Sequence, residues 1–392
     1  MSHQPIVLKP DVQRLIDEGY EASIHAQHLL VESVPYVTPN REVALGTIVC
    51  PYQEDGVLSH TVYFKGDTPC TSVGQPLNQV IHNSTPQILF DRFKVDHYFS
   101  NKPVNVNGFP ADHYLKMTHY TDILGAQAKV IDPDTDARTG RVVESRNDDT
   151  VFHYGDTASA RAGIVAISQK LCLPRVAIVG LGGTGSYILD QVAKTPVKDI
   201  HLFDKDDFKR HNAFRAPGAA SLEQLKLKPK KVEYFCDMYS PMRTGIVPHP
   251  YHLDENNIGE LAGFDFVFVS VDNGPSRGLI CNHLKNAGIP FIDVGMGLKK
   301  DNGMMNISGL CRATLCTSSK NDHMNTYVDT HDDKDEALYA SNIQVADMNA
   351  MNAMLAVIRW KQHFEFYADS ERAHNLSFAI GFQSLVRSEK IT

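Results

Sequence analysis

No stretch of this chain approaches the roughly 18 consecutive apolar residues that a membrane-crossing helix requires, which excludes such a helix. Positive charge is in short supply as well. The 38 Lys and Arg residues are outnumbered by 46 Asp and Glu, for a net charge of −8, and they form no cluster able to neutralise a phosphate backbone, so nucleic acid is not an expected partner. Cysteine is sparse and unpatterned. The seven residues are scattered and odd in number, which suits a reducing compartment better than a disulfide framework. No Cys-x-x-Cys pair occurs, and Cys311 and Cys316 alone cannot complete a four-ligand shell, so no zinc is expected. The opening residues Met1 to Ile6 have neither the basic nor the apolar region of a secretory leader, and a cytoplasmic location is expected. Internal repeats and low-complexity tracts are missing too. What remains is 42% hydrophobic and 21% charged over 392 residues, enough for two or three packed domains.

The densest information lies in Arg175-Val-Ala-Ile-Val-Gly-Leu-Gly-Gly-Thr-Gly-Ser186. The apolar, β-branched run reads as a buried parallel strand, and Gly180, Gly182, Gly183 and Gly185 let backbone approach phosphate oxygens closely. A helix opening at that point aims its free amides at the anion. Lys198 to Phe203 reads as a second strand, ending on Asp204, an acid suited to holding ribose hydroxyls.

The chain after that acid runs Asp204-Lys-Asp206-Asp-Phe-Lys-Arg-His-Asn212-Ala-Phe-Arg215. This block, with its D-x-D stretch and Asn-x-x-Arg, resembles the adenylation module shared by ThiF, MoeB and the ubiquitin-activating enzymes. The resemblance continues through Lys228-Pro-Lys230-Lys231 at a helix start, then Phe264 to Val271 as a strand closing on Asp272-Asn273 and Arg277. It implies an α/β fold, a Rossmann-like doubly wound and mainly parallel sheet over 151–392, and a carboxylate attacking the α-phosphate of ATP. Arg215 and Lys230 would then supply positive charge to the phosphates, Asp272 would hold Mg²⁺, and Asp204 with Asp206 would face the ribose. Asn212, Asn273 and Arg277 would orient these groups.

The same resemblance assigns Arg161, in the helical pattern Asp156 to Lys170, as an arginine finger reaching a partner subunit's ATP, and so implies a homodimer. It also implies the acceptor: the C-terminal carboxylate of a ubiquitin-like or sulfur-carrier protein ending in Gly-Gly. Each residue has a plainer alternative. Asp272 suits a helix N-cap, Lys230 a solvated helix face, Arg161 a solvated helix arginine, and Arg210 competes with Arg215 for phosphate.

Upstream, the polar run Asp132 to Asp149 reads as a linker closing an N-terminal α+β domain over 1–150. Val12 to Leu30 and Pro110 to Leu124 read as helices, Val43 to Cys50 and His60 to Phe64 as strands. An accessory domain ahead of the module is similar to bacterial two-domain ThiF-type proteins, some carrying a conjugating-enzyme-like fold at this end, so a conjugating-enzyme-like partner is a further implication. Cys50 and Cys70 are the thiols available there, while Cys311 and Cys316 sit in a strand pattern that favours a structural thiol over a thioester carrier. Farther on, the acidic run Tyr327 to Glu336 reads most simply as a solvated loop, with a crossover loop draped over the substrate tail as the alternative, and Ile343 to Trp360 reads as a long packed helix. An NAD-dependent oxidoreductase would explain the glycine turn and Asp204 but leaves Asn212, Arg215, Lys230 and Asp272 without a task. A catalytically silent nucleotide-binding scaffold is the other rival.

Overall fold

The computed structural model describes residues 9–53, 57–103, 109–110, 112–141, 150–156, 164–301, 303, 305–330 and 343–390. The chain divides into two compact units, Met1–Val165 and Ala166–Thr392, against the 150/151 division read from composition.

In the first unit, helix α1 (Pro10–Asp17) precedes strands β1 (Glu21–His25), β2 (His28–Val37), β3 (Val43–Pro51), β4 (Val57–Leu58), β5 (Thr61–Lys65), β6 (Ile81–Asn83), β7 (Gln87–Phe90), β8 (Phe93–Val95), β9 (His97–Ser100) and β10 (Phe109–Pro110), then helix α2 (His113–Ile131). The main sheet is antiparallel in the order β1-β2-β3-β5-β9-β6. Side chains alternate across it. Val31, Ile48, Cys50, Val62, Phe64 and Phe99 pack under Val12 and Leu15 of α1 and Met117, Tyr120 and Leu124 of α2. Leu30, Val49 and Val95 face the opposite side, with Leu89, Phe90 and Phe93 of the β7–β8 ribbon against them.

The helix expected over Val12 to Leu30 is corrected here: it ends at Asp17. Gly19 adopts φ +92°, which no helix continues, and Ala26 and Gln27 at φ +45° and +58° then turn β1 tightly onto β2. Residues 132–141 are likewise less of a free linker than their composition suggests. Gly140 N–H donates to the Gly19 carbonyl at 3.0 Å, Thr139 Oγ1 donates to Glu21, and Ala137 is buried. Both thiols are sealed in: Cys50 and Cys70 are 0% exposed, and burial pushes the Cys50 thiol up to about 11.

The second unit carries β11 (Arg175–Val179), α3 (Gly183–Val192), β12 (Asp199–Phe203), α4 (Lys231–Tyr239), β13 (Ile246–His249), β14 (Phe266–Val269), α5 (Gly274–Ala287), β15 (Phe291–Asp301), β16 (Asn306–Cys316), α6 (Ala346–His363), β17 (Ala373–Ala379) and β18 (Ser384–Lys390). Its sheet runs β13-β12-β11-β14-β15-β16-β17-β18, parallel as far as β15 and antiparallel beyond. The parallel strands are buried on both faces, as continuous apolar runs should be. Val176, Ile178, Leu202, Phe268 and Ile292 pack under α3, α4 and α6 with Trp360, while Ala177, Val179, Val267 and Val269 pack under α5. This is the Rossmann-like α/β architecture expected, and the strand order reverses between β11 and β14. Carbonyl-end loops separate at such a reversal, so a crevice opens there.

Of the helical pattern Asp156 to Lys170, residues 165–168 form an α-turn and 169–171 a 3₁₀ turn. Arg161 lies outside the described residues, as does most of the acidic run Tyr327 to Glu336. The long helix α6 starts at Ala346, three residues later than its sequence pattern.

Candidate functional site

A cavity of about 1640 Å³ occupies that crevice. Its first half is built from the loops after β11, β12 and β14. Gly180 holds φ +90°, and a Cβ there would stand 2.4 Å from the Ser270 carbonyl oxygen. A Cβ on Gly185 would lie 1.9 Å from the Gly180 oxygen, and one on Gly183 would be 2.3 Å from the Asn349 amide, whereas one on Gly182 meets open space. The first two glycines therefore let the loops close on one another, and Gly182 leaves room at the N-terminus of α3.

Asp204 is central. Its side chain is 8% exposed, and it accepts from Leu181 N–H at 2.7 Å, Asp206 N–H at 2.8 Å and Lys231 Nζ at 3.3 Å. A carboxylate has about four lone-pair sites, so one acceptor position remains. Lys231 Nζ also donates to Asp206 Oδ2 at 2.8 Å. Burial alone would raise the Asp206 carboxyl, but the Lys231 hydrogen bond and charge outweigh it, and the group sits below the usual range.

The structure separates the two adjacent lysines. Lys231 lines the cavity; Lys230, singled out from sequence, is not among its lining residues. Instead Lys230 Nζ pairs with Asp207 at 2.9 Å and donates to the Lys205 carbonyl at 2.9 Å, with its side chain 40% exposed. Lys230 is the N-cap of α4, so its side chain leaves the helix in another direction from that of Lys231 in the first turn.

Asn212 is buried and lines the cavity while its Oδ1 accepts from Lys209 N–H at 2.9 Å, fixing the short helix Arg210–Ala213. Arg215 follows one turn on. It lines the cavity whereas Arg210 does not, its Nε is buried without a hydrogen-bond partner among the described residues, and burial depresses its guanidinium against the pull of Asp272. Asp272 is exposed at the cavity wall, just past β14. The N-cap of α5 is Asn273, whose Oδ1 accepts from Ser276 N–H at 2.9 Å, so the capping task does not fall on Asp272.

The second half of the cavity is made by β15, β16 and α6. Asp293, 0% exposed, lies between two guanidiniums: Arg312 Nη2 donates to its Oδ2, and Arg277 Nε stands 3.3 Å from its Oδ1. Arg277 is further tied by Nη1 to the Asp329 carbonyl at 3.0 Å and by Nη2 to the Val271 carbonyl. From α6, Asn352 Nδ2 donates to the Gly295 carbonyl at 3.2 Å and reaches Thr184 Oγ1 at 3.5 Å, while Thr184 Oγ1 donates to Asn349 Oδ1 at 3.1 Å. Sequence reading missed Arg312, Asn349 and Asn352, which sit in ordinary strand and helix patterns with no motif around them.

Thiol chemistry finds no support in this half. Cys311 and Cys316 are 0% and 1% exposed on β16, and burial pushes their thiols up to about 11 and about 12. Among the described residues no group of three His, Cys, Asp or Glu is placed to hold a metal ion.

The first unit matches a domain of unknown function (DUF6791) over residues 10–157. The chain is 25% identical over 127 residues to a tRNA threonylcarbamoyladenosine dehydratase of Haemophilus influenzae, covering 32% of this chain and about half (49%) of that relative. Among solved structures, E. coli MccB with ATP is similar at 16% identity and TM-score 0.46, over 58% of this chain and 66% of that one. PaaA is similar at 16% identity and TM-score 0.44, over 57% and 75%. The ThiF family itself matches residues 159–376, more than half of the chain and the whole of the cavity, and the protein belongs to that family.

Proposed function

We propose that the second unit is an ATP-dependent adenylyltransferase that activates the C-terminal carboxylate of a small ubiquitin-like or sulfur-carrier protein ending in Gly-Gly. One observation carries the reading: the glycine turn, Asp204, Asn212, Arg215, Lys231 and Asp272 come from separate loops, yet all line one cavity at the strand-order reversal. In the reaction a carboxylate oxygen bonds to the α-phosphorus of ATP, the bond from that phosphorus to the β-phosphate bridge breaks, and pyrophosphate leaves. Negative charge gathers on phosphate oxygens, and fixed positive groups in a water-poor site lower that barrier most effectively.

Arg215 fits this need, since its buried Nε has no hydrogen-bond partner among the described residues. The N-terminal amides of α3 receive phosphate oxygens above Gly182, and the remaining acceptor position of Asp204 suits a ribose hydroxyl. Lys231, held between two carboxylates, takes the phosphate-facing place first assigned to Lys230. Asp272 is the carboxylate for Mg²⁺, which when bound neutralises phosphate charge. An arginine finger from Arg161, a homodimer and a conjugating-enzyme-like partner for the first unit complete the reading, with the acyl group kept on AMP, a reading supported by the burial of Cys50, Cys70, Cys281, Cys311 and Cys316.

ATP–pyrophosphate exchange with the purified chain tests this, run with each Gly-Gly-ending small protein of the host and, separately, with unfractionated tRNA. Exchange that requires one small protein, and that Asp272→Ala abolishes, is the expected result. ATP binding without exchange in any arm would leave the silent scaffold. Quenching of NADH fluorescence, with no ATP binding, would favour the oxidoreductase.

A further inference from the structure

We propose that Arg312 is the residue that grips the substrate's carboxylate, through the Nε–Nη2 edge of its guanidinium; this rests on the adenylation reading above. The argument begins with strand register. Gly295 pairs with Arg312 and Asp293 with Thr314 across the antiparallel β15–β16 ladder, so these four residues point to one face. The Arg312 side chain therefore lies over a residue with no side chain and reaches diagonally to Asp293.

Its bonds are one-sided. Nη1 donates to Thr314 Oγ1 and, at 3.5 Å, to the Asp293 carbonyl, and Nη2 donates to Asp293 Oδ2. Thr314 Oγ1 is braced in turn by donating to Asn375 Oδ1 at 2.8 Å, and Asn375 donates to Ser388 at 3.1 Å. The Nη1–Nη2 end is thus anchored in the sheet. No hydrogen bond is made by Nε among the described residues, and a Cβ built on Gly295 would meet Nη2 at 2.8 Å, Nε at 3.3 Å and Cζ at 3.4 Å. The open edge faces the space above Gly295, and both residues line the cavity.

Nε–H and the neighbouring Nη2–H form the parallel fork that matches two carboxylate oxygens. Charge agrees: two guanidiniums, Arg277 and Arg312, share the single carboxylate of Asp293. Arg277 is not the equivalent group, because its Nη atoms are committed to the Val271 and Asp329 carbonyls. Asn352, bonded to both the Gly295 carbonyl and Thr184 of the α3 N-terminus, sets the Arg312 edge one side chain away from the phosphate end. A carboxylate held there is presented toward that end.

Two stable nucleosides test this without knowledge of the substrate: 5′-O-sulfamoyladenosine, and its N-(acetylglycyl) derivative, whose acyl oxygen stands in for the gripped carboxylate oxygen. Dissociation constants are measured by calorimetry on the full chain. Arg312→Gln is expected to weaken the acylated probe about ten- to hundredfold and to leave the parent compound within about twofold, as for one charged hydrogen bond. Because that variant removes the charge facing Asp293, Arg312→Lys is the second arm; it keeps a cation for Asp293 but has no fork, and should give the same selective loss. Equal weakening of both probes, or no selective loss in either variant, would overturn the assignment. Failure of both nucleosides to bind the native chain would instead remove the adenylation reading itself, and this inference with it.

Discussion

The two halves of the cavity solve the same problem, fixing charge beside a reactive anion, by different means. In the loop-built half, charges sit at the mouths of parallel strands, and their partners are local: Asp204 with Leu181 and Asp206, Lys231 with the two acids, Asn212 with Lys209. In the strand-built half, Asp293, Arg312, Thr314 and Asn375 form a chain across β15, β16 and β17, from elements far apart in sequence. Loops can be shaped for a ligand residue by residue. A ladder offers only alternating faces, so a charge there must be anchored through the sheet, and a glycine must leave it space.

The comparison can be broken most forcefully at Asp293. Replacing it with Ala leaves two guanidiniums facing each other at a 0% exposed position, and should cost about 3–5 kcal/mol in urea unfolding. A smaller loss would mean the strand-built half is not held by that pair. Arg215→Ala should leave stability nearly intact while lowering exchange turnover roughly 10²–10³-fold, about 3–4 kcal/mol of transition-state stabilisation. The adjacent lysines sharpen the contrast further: Lys231→Ala should weaken ATP binding about tenfold or more, since two unbalanced carboxylates then face the phosphates. Lys230→Ala, which removes an exposed pair with Asp207, should leave ATP affinity unchanged.

A pH dependence runs through both halves. Burial lowers His201 on β12 and His374 on β17 to about 4. The unfolded chain, with ordinary histidines near 6.5, therefore binds protons that the folded chain does not. Stability is complete above that value and declines as pH falls toward 4, by on the order of 1 kcal/mol per pH unit for each histidine. Thermal melts between pH 7 and 4 should show the transition of the second unit moving down; a midpoint that stays constant would mean that these two rings are not held neutral by burial.

The loop-built half was legible because loops carry composition. A glycine with positive φ, an acid at a strand end and an Asn-x-x-Arg turn are local requirements written at fixed spacing. Even there the choice between Lys230 and Lys231 escaped, because a one-residue step at a helix start turns a side chain by about 100° and no local rule fixes which one faces inward. In the first unit, Val12 to Leu30 carries apolar residues dense enough for a helix, and the break at Gly19 was outweighed by that density. The strand-built half was illegible for a different reason. Arg312 is surrounded by Leu310, Cys311, Ala313 and Leu315, and only its pairing opposite Gly295 makes it a site residue.

Strands β11, β12 and β14, helices α3, α4 and α6, the phosphate turn and most of the groups around it were readable in the sequence, because these depend on contacts between near neighbours. Tertiary structure alone decided which lysine enters the cavity, that every thiol in the two cores is shielded, and that Asp293 joins Arg277 to Arg312. Those outcomes depend on strand register and on the sheet's reversal point, which bring together residues that the chain keeps apart.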